Sequence, residues 1–301
     1  MVRNPAALIH KARELIKPLV PLEARRILVR VRHRLRMLTA RWRTVPDFLI
    51  IGCQRGGTSS LYKYLGQHPE ISPSLRKETE YLTANFSEGE SWYRAHFPLI
   101  LRRRWARGMG RRLFTFEATP DYLLDPRAPR RAHDLLPDVK IVVLLREPGD
   151  RALSQFHHNK RLGLESEEFV AALDLEDERI SGDLSEMATN PLTRATSFRR
   201  FTYQKRGEYA RQLADWFAEY PRDRFLILES EEFFADPDRV LQDILAFVGA
   251  SPWSPPEFRN YSYVGRARDA QDTMPPGLRR RAKERCAGPN RELSEPMGEE
   301  R

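Results

Sequence analysis

The sequence predicts an α/β fold: a central parallel sheet covered by helices on both faces, with a basic helical extension ahead of it. Three observations carry that expectation. Short runs of strand-forming residues, at Phe48 to Ile51, Leu113 to Glu117, Lys140 to Leu145 and Arg224 to Leu228, alternate with segments of helical spacing. The run K-I-V-V-L-L at 140–145 is apolar almost throughout, as a strand buried on both faces requires. The first run passes directly into a glycine-rich turn and a helix, the arrangement that aims free N–H groups at a phosphate.

A chain of 301 residues holds one large α/β domain plus extensions. Its hydrophobic content of 41% and aromatic content of 10% suffice for a folded core. The net charge of +9 is unevenly spread, because residues 1–45 hold twelve Lys/Arg against two Glu, a net +10, leaving −1 for the rest. The basic character therefore belongs to an extension, and no nucleic-acid partner is expected. The expected division is a basic helical extension at 1–45, the catalytic-type domain at 46–287 and a polar, mobile tail at 288–301. Cys53 and Cys286 give neither a disulfide framework nor a metal spacing, which fits a reducing compartment. No apolar run approaches a membrane span, and arginines and lysines interrupt any signal-peptide core.

In chain order, residues 5–18 and 22–43 read as two basic helical segments broken by Pro18 and Pro21. In the second, Ile27, Val31, Leu35 and Leu38 recur at helical spacing among Arg25, Arg26, Arg30, Arg32, Arg34 and Arg36. Two readings stay open. Either the helix lies on anionic lipid, or it docks on its own domain and turns its arginines to solvent.

The loop Gly52 to Gly57 follows the first strand, and Thr58, Ser59 and Ser60 open the helix behind it. Gly56 and Gly57 let the backbone approach an anion, Arg55 adds fixed charge, and Thr58 and Ser59 add hydroxyl donors. A Walker A loop needs lysine directly after its closing glycine. Thr58 stands in that place, after Gly57. The bland alternative is a strand-to-helix turn that binds nothing.

His68 to Ser72 ends the helix and begins a short strand. Lys77-Glu78-Thr79-Glu80 then sets two carboxylates beside a lysine, as either a solvated turn or the seat of a general base. Ser91 to Pro98 reads as a helix packing aromatics, with His96 structural, and 128–136 as a short helix. The strand 140–145 ends in Arg146-Glu147-Pro148, where a Walker-type Mg²⁺ site wants an acid. Arg146 can offer its charge to an anion, or pair with a surface acid. Pro148 opens the next helix, whose early turns can place Ser154 on the side of Arg146. Residues 165–200 are acidic, then Ser/Thr/Arg-rich, with few apolar anchors. They predict a loosely packed insertion able to border a substrate cleft. Helices are expected at 206–220, with Leu213, Trp216 and Phe217 inward, and at 238–248, capped by Gly249.

Together these pieces resemble the sulfotransferases that use 3′-phosphoadenylyl sulfate (PAPS), in particular the heparan-sulfate-type branch and its bacterial relatives. The likeness runs from about Pro46 to Arg268. It comprises [KR]-x-G-T-[ST] at 55–59, K-E-x-x-Y-L at 77–82, F-E-x-T-P-x-Y at 116–122, L-L-R-E-P-x-x-R-A-x-S at 144–154 and G-x-Y at 207–209.

The resemblance implies a P-loop-like sheet, no metal, and in-line transfer of a sulfuryl group from PAPS. The acceptor would be a hydroxyl or amine of a carbohydrate, glycolipid or small molecule. It implies that Arg55, Gly56, Gly57, Thr58 and Ser59 bind the 5′-phosphosulfate and that Arg146 and Ser154 bind the 3′-phosphate. Tyr209 joins the cofactor-binding set, and Gly265 and Arg266 fall where the family has a basic loop closing over the cofactor. Glu78 matches the catalytic carboxylate, with Arg55 acting on the leaving group. His158 matches a substrate-side histidine of the N-sulfating members, although by itself it reads as an ordinary helix-surface histidine. One departure is clear: Ala118 stands in the place of a substrate-side lysine, so the acceptor contacts of heparan enzymes do not carry over.

Two rivals remain at this stage. A P-loop kinase is disfavoured by Thr58 and Arg146, and a non-catalytic membrane or polyanion adaptor by the joint presence of Glu78, Arg146 and Ser154. The expected location is cytoplasmic, with peripheral contact at the inner membrane face if residues 1–45 bind lipid.

Overall fold

A computed structural model describes residues 22–259 and Gly277. The expected helix 5–18, the tail 288–301, Cys286, Gly265 and Arg266 lie outside the described residues. Helix α1 (Leu22–Met37) leads to strand β1 (Phe48–Gly52), helix α2 (Thr58–Leu65) and strand β2 (Ile71–Pro73). Helices α3 (Glu90–Arg94) and α4 (Ile100–Gly108) precede β3 (Phe114–Ala118). Next come α5 (Asp121–Leu124), α6 (Ala128–Leu135), β4 (Lys140–Leu145) and α7 (Pro148–Arg161). An inserted trio follows: α8 (Phe169–Asp174), α9 (Glu176–Thr189) and α10 (Thr196–Phe201). The fold continues with α11 (Tyr209–Glu219), β5 (Phe225–Glu229), α12 (Ser230–Ala235) and α13 (Pro237–Val248).

The strands form one parallel sheet in the order β2-β3-β1-β4-β5. In its register Phe48 pairs with Phe116 on one side and with Lys140 on the other. The chain winds one way from β1 and the other way from β4. Their adjacent C-terminal ends therefore form the topological switch point, where open α/β sheets hold ligands. Alternation of side chains along β1 and β4 supplies two cores. Leu49, Ile51, Ile141 and Val143 pack with Tyr122, Leu213 and Trp216 on one face. Phe48, Ile50, Val142 and Leu144 pack with Leu61, Leu65, Val240 and Ile244 on the other. Each such aliphatic or aromatic side chain contributes about 1.5–3 kcal/mol when fully buried. The fixed frame therefore underlies the switch point.

The insertion departs from the sequence expectation. It is helical, and it owns small cores around Phe156, Phe169 and Tyr203, and around Ile180 and Phe198. Its remaining anchors are polar. Buried Glu165 accepts from Arg179 at 2.8 Å and from the Tyr203 hydroxyl at 2.8 Å. A count of apolar residues could not register those ties.

The predicted helix to residue 43 ends at Met37 and passes into a short turn of tight helix at Ala40–Trp42. It docks on the domain, but with Arg36 and Arg43 turned inward and its apolar stripe exposed, where the docked reading had the arginines facing solvent. His33 Nε2 lies 3.0 Å from the Trp92 carbonyl, and the Arg36 guanidinium donates to the Ala95 and Phe97 carbonyls. No helix among the described residues is long and apolar enough to cross a membrane.

Candidate active site

The loop after β1 is shaped by its glycines. Gly57 takes φ +96° and stands as the N-cap of α2. A Cβ at Gly56 would come within 2.8 Å of Ser230 Oγ and 2.9 Å of Cys53 Sγ, and one at Gly57 within 3.0 Å of Phe233. The Ser230 hydroxyl also donates to the Gly56 carbonyl at 2.8 Å, pinning the turn. Arg55 adopts φ +72°, a conformation costly for a residue with a side chain and typical of sites where function holds the strain. Behind the turn, the first N–H groups of α2 have no helical partner and favour an anion.

Arg55, Arg146 and Ser154 come from three places in the chain and meet here. Arg55 Nε donates to Ser154 Oγ at 3.0 Å, and Arg146 Nη1 donates to the Arg55 carbonyl at 3.0 Å. Burial lowers the Arg55 guanidinium to about 10, and the like charges of Arg161 and Arg146 push the same way. Crowded cations in a half-dry pocket gain from a bound anion. Tyr209 is placed differently from the cofactor-contact role expected of it. It is buried, and its hydroxyl donates to the Arg146 carbonyl at 2.8 Å. It therefore positions the end of β4 from below. Cys53 is fully buried, and burial raises its thiol, so it is a filler and not a nucleophile.

Glu78 stands on the turn after β2, with the Lys77 ammonium against its Oε1 and its side chain 44% exposed. Both Glu78 and Glu80 take positive φ, +58° and +55°. What holds this turn is a carboxyl that the sequence reading quoted within a motif but gave no role. Glu117 in β3 is fully buried. It accepts from the Thr79 hydroxyl, from Tyr93 Oη at 2.7 Å and from Tyr122 Oη at 2.9 Å. Tyr122 Oη in turn accepts from the N–H groups of Tyr81 at 3.0 Å and Leu82 at 3.3 Å. Burial pushes Glu117 up to about 7, against the pull of these hydroxyls. K-E-x-x-Y-L and F-E-x-T-P-x-Y are thus two halves of one clamp. A charged residue inside an apolar strand was the available signal.

Glu78 and His158 line one cleft of about 480 Å³, together with Gln54, Asn159 and residues of the insertion. Arg161 donates to His158 Nδ1 at 2.7 Å, which leaves the proton of the neutral ring on Nε2. Burial lowers His158, the charges of Arg55 and Arg161 lower it further, and Glu78 opposes them. His158 therefore sits in the fields of both the loop arginine and the candidate base. Glu80, the second carboxylate of the turn, is tied to Arg199 at 2.7 Å. Arg199 and Arg206 also grip Asp121, at 2.8 and 2.6 Å. Arg194, Arg199 and Arg200 bring the insertion's charge to the same cleft. The sequence reading placed the insertion at a cleft but named none of these residues. Ala118 is buried and offers nothing to the cleft. Among the described residues no group of three or more His, Cys, Asp or Glu could hold a metal ion.

The chain matches the sulfotransferase domain over residues 45–261. It belongs to the sulfotransferase family. The sulfotransferase is 31% identical over 218 residues to bifunctional heparan sulfate N-deacetylase/N-sulfotransferase 3 of Homo sapiens, across 69% of this chain and 23% of that protein. It is 29% identical over 209 residues to heparan sulfate glucosamine 3-O-sulfotransferase 6 of Mus musculus, across 69% of this chain and 53% of that one. The chain thus spans between about a quarter and a half of the length of these curated relatives. Among solved structures, a sulfotransferase from Alicyclobacillus acidocaldarius superposes with a TM-score of 0.62 at 30% identity, covering 84% of this chain and 96% of that one. Family membership makes this chain a sulfotransferase-type enzyme with a P-loop-like parallel sheet. The kinase and adaptor alternatives find no support in these comparisons.

Proposed function

We propose that this enzyme transfers the sulfuryl group of PAPS to a hydroxyl or amine of a polar, carbohydrate-type acceptor, free or carried on a lipid. The observation that carries the reading is the meeting of Arg55, Arg146 and Ser154 at the ends of β1 and β4, with Glu78 and His158 on the adjoining cleft. The loop suits the donor, since Gly56 and Gly57 let the turn close tightly against Ser230, Cys53 and Phe233 just ahead of the N-terminus of α2. PAPS, when bound, supplies an activated sulfuryl group and leaves as 3′,5′-phosphoadenosine.

The chain's residues then divide the work. Thr58, Ser59 and the N-terminal N–H groups of α2 hold the 5′ end. Arg55 meets the negative charge that grows on the bridging oxygen, and a preorganised donor of this kind is worth about 3–4 kcal/mol of barrier. Arg146 and Ser154 hold the 3′-phosphate, and Tyr209 keeps Arg146 in place. Gly265 and Arg266 complete the donor site on the family pattern. Glu78 takes the acceptor proton, while Lys77 fixes the direction of its carboxylate. His158, an Nε2–H donor on the cleft wall, orients the acceptor. Arg194, Arg199, Arg200 and Asn159 make that wall polar, which suits a many-hydroxyl acceptor over an apolar one. The buried free thiol of Cys53 suits a reducing, cytoplasmic setting.

The test is transfer of radioactive sulfur from labelled PAPS to a panel comprising an unsulfated glycosaminoglycan, a glycolipid and a simple phenol. Label should enter a saccharide-bearing acceptor with the parent and not with Glu78→Gln. Label entering the phenol alone would refute the acceptor class.

A further inference from the structure

Helix α1 meets its domain with its polar face. His33 and Arg36 point inward from the helix, and Ala40 and Arg43 do so from the turn after it; His33, Ala40 and Arg43 are buried. The apolar stripe that helical spacing would normally bury faces outward instead. Leu28 is 66% exposed and Leu38 78%, and Ile27, Val31 and Leu35 are also exposed. Helix α4 repeats the pattern, with Leu101 71% and Trp105 68% exposed and Met109, just past its end, exposed as well. The bridge between Arg43 and Leu99 joins the end of the α1 segment to the start of α4, and Trp42 beside that bridge is exposed. Exposed arginines accompany both: Arg32, Arg34 and Arg41 on one side, Arg102, Arg104, Arg107 and Arg111 on the other.

We propose that α1 and α4 form one membrane-binding face, directed at an anionic lipid bilayer. Large apolar side chains fringed by arginine are the composition of an interfacial helix, whose ring and chain tips enter the acyl boundary while guanidinium groups meet lipid phosphates. Charge selects this occupant over two others. Residues 1–21 carry four Lys/Arg and one Glu, so folding them over the face would set like charges together. A second copy in a two-fold contact would oppose arginine to arginine. A soluble polyanion would satisfy the arginines but not Leu101 and Trp105. This surface is independent of the transfer chemistry, and it shares no residue with the cleft lining.

The experiment is co-sedimentation of the full chain with vesicles of equimolar phosphatidylglycerol and phosphatidylcholine, and with vesicles of phosphatidylcholine alone. The parent should bind the anionic vesicles and release them at high salt, since screening shortens the reach of surface charge to about 3 Å at 1 M. The double variant Leu101→Ser/Trp105→Ser should need at least about tenfold more lipid for half-binding, because it removes two side chains' worth of apolar burial. Its transfer of sulfur to a soluble acceptor should be unchanged. As a second readout, tryptophan emission of the parent should be quenched by brominated acyl chains, and Trp105→Phe should reduce that quenching. Equal binding by parent and double variant, or equal binding to both vesicle types, overturns the proposal. So does a dimer in solution that the double variant dissolves.

Discussion

Glu117→Gln tests the clamp beneath the catalytic turn. Burial raises this carboxyl from its ordinary 4.5 to about 7. Between those values the folded protein keeps a proton that the unfolded chain has released. The neutral form's contribution is therefore complete below about pH 4.5 and is lost as pH rises through about 7. At about 1.4 kcal/mol for each pH unit, the loss amounts to about 3 kcal/mol. Glutamine copies the protonated carboxyl: its oxygen accepts from Tyr93 and Tyr122, and its amide donates toward Thr79. Other groups also titrate. Burial lowers His96 to about 3 and lowers His33, and both favour the folded state at higher pH. Their effect cancels in the difference between two proteins that share them. Urea unfolding of parent and variant, compared from about pH 5 to pH 8, isolates the group. The two proteins should be of similar stability at the acid end, and the variant should gain about 3 kcal/mol on the parent by the alkaline end. A difference that stays constant across the range would refute the reasoning.

Two further outcomes follow from the site. Glu78→Gln keeps the shape of the turn but removes its base, so turnover should fall by about 10²–10⁴-fold while calorimetric affinity for 3′,5′-phosphoadenosine holds; surviving turnover would move the base to Glu80 and require its ion pair with Arg199 to open. Gly57→Ala forces a side chain into φ +96° against Phe233 at 3.0 Å, which should cost at least about 1–2 kcal/mol in thermal unfolding and abolish donor binding.

The sheet was legible because its strands are apolar runs of β-formers set between helical periods. Four of the five strands could be placed in this way to within a residue of their bounds at 48–52, 114–118, 140–145 and 225–229. β2 was expected to begin within His68 to Ser72 and does so at Ile71, but at three residues its pattern is too short to delimit. The loop was legible for a different reason, since glycines at 56 and 57 beside a cation leave few other uses. The clamp was not. Glu117 acts through Thr79, Tyr93 and Tyr122, and no spacing in the chain reveals that four polar groups meet inside a core. Arg199 was hidden likewise, because its partners Glu80 and Asp121 lie on other elements. In α1 helical spacing gave the right stripe but could not say which face docks. The carbonyls at Trp92, Ala95 and Phe97 offered acceptors to His33 and Arg36, and the polar side went inward.

The central claim is that Arg55, Arg146 and Ser154 form a pocket for a nucleotide bearing a 3′-phosphate. Isothermal titration of the full chain with 3′,5′-phosphoadenosine and with ATP, each against the parent and Arg146→Ala, tests it most directly. The parent should bind 3′,5′-phosphoadenosine well over tenfold more tightly than ATP, because a charge-assisted contact contributes about 1.5–3 kcal/mol. Arg146→Ala should erase most of that preference and leave ATP nearly unchanged. Equal affinity of the parent for both nucleotides would contradict the account.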